Sequence, residues 1–139
     1  MTDHPAALVT GAGKRIGRAV AQALAANGHA VAIHYNRSAD DALALKAEIE
    51  EKGGEAVVVQ ADLLQEAETS TLVEAASAAL NRPLTTLINN ASTFEHDDIS
   101  SATRASWDLH MEANLRAPFV LTQAFAAQCP GNGNVINII

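Results

Sequence analysis

Residues 6–18 read Ala6-Ala7-Leu8-Val9-Thr10-Gly11-Ala12-Gly13-Lys14-Arg15-Ile16-Gly17-Arg18. Ala6–Val9 is a short apolar run of the kind that forms a buried parallel strand. It breaks at Thr10-Gly11-Ala12-Gly13. A helical pattern follows, with Ile16, Ala19, Val20, Ala23 and Leu24 expected on one face. Strand, glycine turn and helix is the opening of a dinucleotide-binding βαβ unit. The first N–H groups of the helix have no intrahelical partner and point, with the helix dipole, at whatever occupies the turn. Gly11 and Gly13 are expected to permit positive φ and a close approach of backbone to a pyrophosphate. Gly17 is expected to let the helix pack close to the strand. The spacing is Gly11-x-Gly13-x-x-x-Gly17. A glycine turn alone would mean only a turn; its place between strand and helix favours anion binding.

Composition narrows the classes. The chain has 139 residues, 48% of them hydrophobic and 18% charged, enough for one globular domain with a real core. Its net charge of −7 argues against nucleic acid or an anionic membrane as the main partner. Lys14, Arg15 and Arg18 therefore stand out as a local anion site on an acidic protein. The lone Cys129 offers no disulfide and no metal cluster, and fits a reducing, cytoplasmic location. No metal site is expected. The N-terminus lacks a basic, then apolar, signal segment, and no run approaches the roughly 20 apolar residues of a membrane span.

Strand and helix patterns alternate along the chain. Asn27-Gly28 ends the first helix. Ala30–Tyr35 is a second strand, Ala39–Lys52 a helix with Ala42, Leu45 and Ile49 inward, and Ala56–Gln60 a third strand. Gln65–Leu80 is helical, with Leu72, Ala75, Ala76, Ala79 and Leu80 expected on one face, and Pro83 follows it. Leu84–Asn89 is a fourth strand, Thr103–Gln128 a long helical pattern, and Val135–Ile139 a fifth strand. This order predicts an α/β fold of the Rossmann type: a doubly wound parallel sheet in the order 3-2-1-4-5, with helices on both faces. The ligand crevice is expected at the switch between strands 1 and 4. It gathers Gly11–Gly17, Asn89–Ser92 and the end of strand 2.

The end of strand 2 bears on the cofactor. An acidic residue there would bind the ribose hydroxyls of NAD. The sequence instead reads His34-Tyr35-Asn36-Arg37-Ser38, with no carboxylate before Asp40. Arg37 can grip a 2′-phosphate bidentately and Ser38 can donate a hydroxyl; Ser38 can equally cap the next helix. NADPH is the expected cofactor. Asn90 can hold neighbouring backbone groups, and the small Ala91 leaves room for a ribose. Pro118 lacks an N–H, so the carbonyl of Asn114 loses its helical partner. Trp107, Met111, Leu115, Phe119 and Thr122 share roughly one face, which suits core or helix-pair packing.

Thr10, Gly11 and Gly17 match the Thr-Gly-x-x-x-Gly-x-Gly motif of the short-chain dehydrogenase/reductase family, which the chain resembles from Ala6 to Ile139. Arg15 replaces the middle glycine, as in the pteridine reductase branch. The His-x-x-Arg-Ser segment at His34–Ser38, and Ser92 with Phe94 after Asn89-Asn90-Ala91, resemble that branch as well. The resemblance implies an NADPH-dependent oxidoreductase acting on a small molecule. The cofactor residues it carries over are Thr10, Gly11, Gly13, Arg15, Ile16, Gly17, Tyr35, Asn36, Arg37, Ser38, Asp62, Leu63, Asn90, Ala91 and Ser92. Asp62 would contact the adenine, unless it only caps the helix that follows. Arg15, Ser92 and Phe94 would touch a flat, pterin-like substrate, with Phe94 stacked on the ring; Phe94 could also be a plain loop anchor. Asn114 would hold a catalytic water through its main-chain carbonyl. The family's long helix implies a homo-oligomer, a dimer or tetramer.

The family's chemistry also needs a Tyr-x-x-x-Lys pair. Tyr35 is the single tyrosine and lies at the adenosine end, where it cannot serve. The chain is therefore expected to represent a Rossmann domain, residues 1–139, without the catalytic segment and C-terminal strands, and to show no turnover by itself. Two alternatives stay open: a generic short-chain ketone or 3-oxoacyl reductase, and a catalytically inactive NADPH-binding module.

Overall fold

The computed structural model describes residues 4–139. Five strands form one sheet: β1 (Ala6–Val9), β2 (Ala30–Tyr35), β3 (Ala56–Gln60), β4 (Thr86–Asn89) and β5 (Asn134–Asn137). Their order is β3-β2-β1-β4-β5, and every pairing is parallel. The helices are α1 (Arg15–Ala26), α2 (Ala39–Glu51), α3 (Glu66–Leu80), α4 (Arg104–Met111) and α5 (Ala117–Gln128), with a π-helical turn at Glu112–Arg116 between the last two. This is the doubly wound arrangement that alternating strands and helices predict.

The period-2 alternation of a strand sorts the core into two layers. Leu8, Ala30, Ala32 and Leu87 pack against Leu72, Val73, Ala76 and Leu80 of α3 and Ala117, Leu121 and Phe125 of α5. Val9, Val31, Ile33 and Ile88 face the other way, onto Ala21 of α1 and Ala42, Leu45 and Ile49 of α2. Both faces of β1 are thus covered, and all four of its residues are buried. The chain leaves β1 toward β2 on one side and reaches β4 on the other, so a crevice opens above β1.

Boundaries move by one or two residues. α2 ends at Glu51, α3 begins at Glu66 and β4 begins at Thr86. β5 spans Asn134–Asn137 and is exposed along its length. Two helical faces differ from expectation. In α1 the buried residues are Gly17 and Ala21, while Ile16, Ala19 and Ala23 are exposed. A helix that packs closely presents its smallest side chains to the sheet. In α3 Thr69 and Val73 are buried with Leu72, Ala76 and Leu80, and Ala75 and Ala79 face outward.

The long C-terminal helical pattern is interrupted as Pro118 requires. The Ala117 N–H reaches the Glu112 carbonyl, five residues back. This π-helical register stands directly before the proline, which has no N–H to give Asn114.

Candidate cofactor cleft

The ends of β1 and β4 are tied together by one hydroxyl. Thr10 is buried, and its Oγ1 accepts hydrogen bonds from the N–H groups of Asn90 (3.0 Å) and Ala91 (2.9 Å). The Asn90 side chain returns the tie, donating to the carbonyls of Thr10 (3.1 Å) and Gly11 (3.2 Å). Thr10 therefore holds the floor of the cleft from behind and does not line it. Asn89 bonds sideways, to the Asn137 side chain at 2.9 Å.

Gly11 has φ of 59°, and a Cβ there would come within 3.0 Å of the Ala91 Cα. Gly17 is tighter still: a Cβ would collide with the Gly11 carbonyl and lie 2.5 Å from Asn90 Nδ2. The start of α1 is thereby pressed onto the turn. Its N-cap, Lys14, makes no side-chain cap, and its first turn holds no acidic residue. The first N–H groups of α1 remain open to an anion in the turn.

Gly13 differs from expectation, since it is not among the positive-φ residues, whereas Arg15 is, at φ of 54°. The left-handed position falls on the arginine. Such a conformation costs a non-glycine residue about 1–2 kcal/mol.

The basic cluster also resolves into parts. Lys14 pairs with Asp41 at 3.4 Å and Arg18 pairs with Glu48. Among the described residues neither Arg15 nor Arg37 forms an ion pair, and both are exposed. Ser38 occupies the N-cap position of α2 without a side-chain cap bond, which leaves its hydroxyl free.

These groups border one cleft of about 560 Å³, lined by Gly11, Gly13, Arg15, Ile16, Tyr35, Asn36, Arg37, Ser38, Asp62, Leu63, Asn90, Ala91 and Ser92, with His34, Lys14, Leu64, Thr93 and Ala113. Asp62 does not cap α3; Gln65 stands at that position. Instead Asp62 Oδ1 accepts the Leu64 N–H at 3.0 Å and shapes the turn beside the cleft. Phe94 and Asn114 lie past the cleft's lining. Phe94 is 81% exposed, too open for a loop anchor. Asn114 uses its side chain on the loop: Oδ1 accepts from Thr93 N–H (2.8 Å) and Nδ2 donates to Thr93 O (2.9 Å).

Residues 5–139 match the family model described as short chain dehydrogenase. The chain belongs to the short-chain dehydrogenase family. Its fold superposes with a TM-score of 0.93 and 40% identity on the FolM alternative dihydrofolate reductase 1 of Brucella canis, solved with NADP; the match covers 100% of this chain and 55% of that one. An uncharacterised oxidoreductase of Methylorubrum extorquens is 38% identical over 132 residues, 95% of this chain and 53% of that protein. The 3-oxoacyl-[acyl-carrier-protein] reductase of Synechocystis is 35% identical over 134 residues, 95% of this chain and 54% of its own length. The chain thus spans about half the length of the curated relatives it matches.

One residue of this short-chain dehydrogenase cleft escapes sequence reasoning. His34 is buried on β2, where its Nδ1 accepts the Gly11 N–H at 3.0 Å. That fixes the proton on Nε2, which donates to the Ala61 carbonyl at 2.9 Å. The ring therefore ties the glycine turn to the end of β3. Burial pushes its pKa below the ordinary 6.5, against the opposing pull of the Ala61 carbonyl. A lone histidine in an apolar strand gives no spacing signal; the His-x-x-Arg-Ser resemblance was the available hint.

Two outcomes follow from this geometry. Arg15→Gly relieves the left-handed strain and is expected to stabilise the fold by about 0.5–1 kcal/mol, while weakening anion binding in the cleft. Thermal unfolding and a cofactor titration on the same protein check both; a destabilised Arg15→Gly protein would contradict the strain. For His34 the folded pKa is depressed, so the unfolded chain takes up the proton more readily. The stability that His34 contributes is complete above about pH 6.5 and is lost as pH falls toward and through the folded value. His34→Asn, which keeps an acceptor near Gly11 and cannot titrate, is expected to flatten the acid side of the stability–pH curve. Equal slopes for the two proteins would contradict this.

Proposed function

We propose that this chain binds NADPH and serves a reductase of flat, pterin-like heterocycles. The observation that carries the cofactor assignment is the pair Arg37 and Ser38 at the carboxyl end of β2. One is without an ion pair among the described residues, the other has an unspent hydroxyl, and no carboxylate stands in the NAD position. The cleft fits the rest of a dinucleotide. The uncapped start of α1 offers N–H groups to a pyrophosphate, and Gly11 and Gly17 let that helix start rest directly on the turn. In this reading Asp62 and Leu63 border the adenine, Asn90 and Ala91 the ribose, and Ile16 and Ser92 the inner end.

Bound NADPH would supply a hydride. The chain's own residues bind and orient. Arg37 and Ser38 hold the 2′-phosphate, which sets the cofactor's register along the cleft. Asn114 stands at the π-helical turn, where Pro118 frees a main-chain carbonyl to hold a water. Arg15, Ser92 and Phe94 face the substrate: Phe94 offers an exposed ring to stack upon, Ser92 a directional hydrogen bond, Arg15 a cation. The NADP bound in the Brucella canis structure supports the cofactor half of the reading, and that protein's name as a dihydrofolate reductase supports the substrate half, since a dihydrofolate carries a pterin ring. The Synechocystis relative favours a second reading, a 3-oxoacyl or ketone reductase; a flexible acyl chain gains little from Phe94.

The exposed stripe of Trp107, Met111, Leu115 and Phe119 supports a homo-oligomer built on α4 and α5. Among the described residues no helix is long and apolar enough to cross a membrane.

Arg37→Ala in the intact reductase is expected to cost about 1.5–3 kcal/mol in NADPH binding, as for a charged hydrogen bond, and little in NADH binding. Equal losses for both cofactors in a titration would sink the assignment. Phe94→Ala is expected to weaken the KM for a dihydropterin by about 0.5–1.5 kcal/mol with NADPH affinity unchanged. Turnover of simple ketones but not of dihydropterins would transfer the protein to the second reading.

A further inference from the structure

Phe94 is almost wholly exposed, yet the residues on both sides of it are held. Thr93 is held at N–H and carbonyl by the Asn114 side chain, at 2.8 and 2.9 Å. On the other side the Glu95 N–H donates to His110 Nε2 at 2.9 Å. That bond settles the tautomer: Nε2 is the acceptor, so the proton is on Nδ1, which donates to the Ser106 carbonyl at 2.7 Å. Ser106 is itself fixed, because its N–H and hydroxyl close a capping box with Thr103 at the start of α4. The His110 ring also meets the Phe94 ring edge-on, with centroids 6.2 Å apart and planes at 67°. His110 and Asn114 stand one helical turn apart, and each grips one flank of Phe94.

We propose that His110 is a positioning residue for substrate: by holding the Glu95 N–H and the edge of Phe94 it sets the orientation of the ring on which a flat heterocycle stacks. The inference rests on the reading of Phe94 as a substrate residue. A loop residue with no regular hydrogen-bond ladder would otherwise sample many backbone conformations, each presenting the Phe94 face differently. His110 removes that freedom at Glu95 and is not among the residues that line the cleft, so its loss should act on substrate binding and leave cofactor binding alone.

The test compares His110→Phe, which keeps a flat ring and loses both hydrogen bonds, with His110→Gln, whose Oε1 can take the place of Nε2 as acceptor. Both are made in the intact reductase. Hydrogen exchange at the Glu95 amide reads the clamp; KM and kcat for 7,8-dihydropterin, with a separate NADPH titration, read its use. In His110→Phe the Glu95 amide should exchange roughly three- to tenfold faster, as for one lost hydrogen bond. KM should rise by a similar factor with kcat and NADPH affinity unchanged. His110→Gln should recover most of both changes. Unaltered Glu95 exchange in His110→Phe would overturn the clamp. Faster exchange with an unaltered KM for a dihydropterin that is turned over would overturn the positioning role. Faster exchange in a protein that reduces ketones and ignores dihydropterin would support the clamp and overturn the substrate reading instead.

Discussion

A Cβ at position 17 would run into the Gly11 carbonyl and come within 2.5 Å of the Asn90 amide nitrogen. The absence of a side chain there lets the first turn of α1 rest directly on the glycine turn. The same Asn90 amide is already donating to Thr10 and Gly11, and the Thr10 hydroxyl accepts from Asn90 and Ala91. Two strand ends and a helix start thus meet through buried polar groups that satisfy one another, with no room for a larger residue. Such a junction is costly to leave unpaired and rigid when complete. Because it is complete, the open N–H groups of α1 point at a fixed place, and the cleft has a defined floor.

Charge is arranged around that floor by subtraction. The chain carries a net charge of −7, and many of its cations are spent on neighbours: Lys14 on Asp41, Arg18 on Glu48, Lys46 on Glu50, Arg82 on Glu55. Exposed pairs of this kind contribute little to stability. Among the described residues Arg15 and Arg37, which both line the cleft, are left without an ion pair. Beyond about 10 Å the overall negative field is screened at ordinary ionic strength, so a phosphate entering the cleft responds to the local charges of its lining, Arg15, Arg37, the Asp41-paired Lys14 and Asp62, and to the helix start. Arg15 holds its place at the expense of backbone strain. Glycine would suit the φ value better.

What the sequence made legible follows the physics of each signal. Buried parallel strands are continuous apolar runs, so β1 to β4 and their order could be read directly. Pro118 announced the unpartnered Asn114 carbonyl through a missing N–H, but not the π-helical turn that precedes it. The face of α1 was read in part: Val20 and Leu24 pack against the core, but Ile16, Ala19 and Ala23 are exposed, because closeness of packing, set by Gly17 and Ala21, turns the smallest side chains to the sheet. Ala75 and Ala79 of α3 likewise face outward against expectation. Gly13 and Arg15 exchanged conformations against expectation, because a pattern of glycines names where small residues are needed and not which residue carries positive φ. Ion pairs across helices, such as Arg18 with Glu48, depend on tertiary placement and leave no local trace.

The two histidines missed in the sequence share a physical reason for being where they are. A neutral imidazole offers one donor and one acceptor on a rigid ring, so it can join a carbonyl in a regular element to an N–H in an irregular one. His34 does this between Ala61 and Gly11 with the proton on Nε2; His110 does it between Ser106 and Glu95 with the proton on Nδ1. The opposite tautomers are dictated by which nitrogen meets the loop. Irregular backbone at a cleft must still satisfy its N–H groups, and neither Gly11 nor Glu95 has a strand or helix partner to do so. The loop partners of His34 and His110 are 23 and 15 residues away along the chain; the β1–α1–β2 crossover closes the first separation, and the return of α4 past the loop after β4 closes the second. The glycine turn and the Phe94 loop are consequently held in place by the same device, one anchored in the sheet and the other in α4.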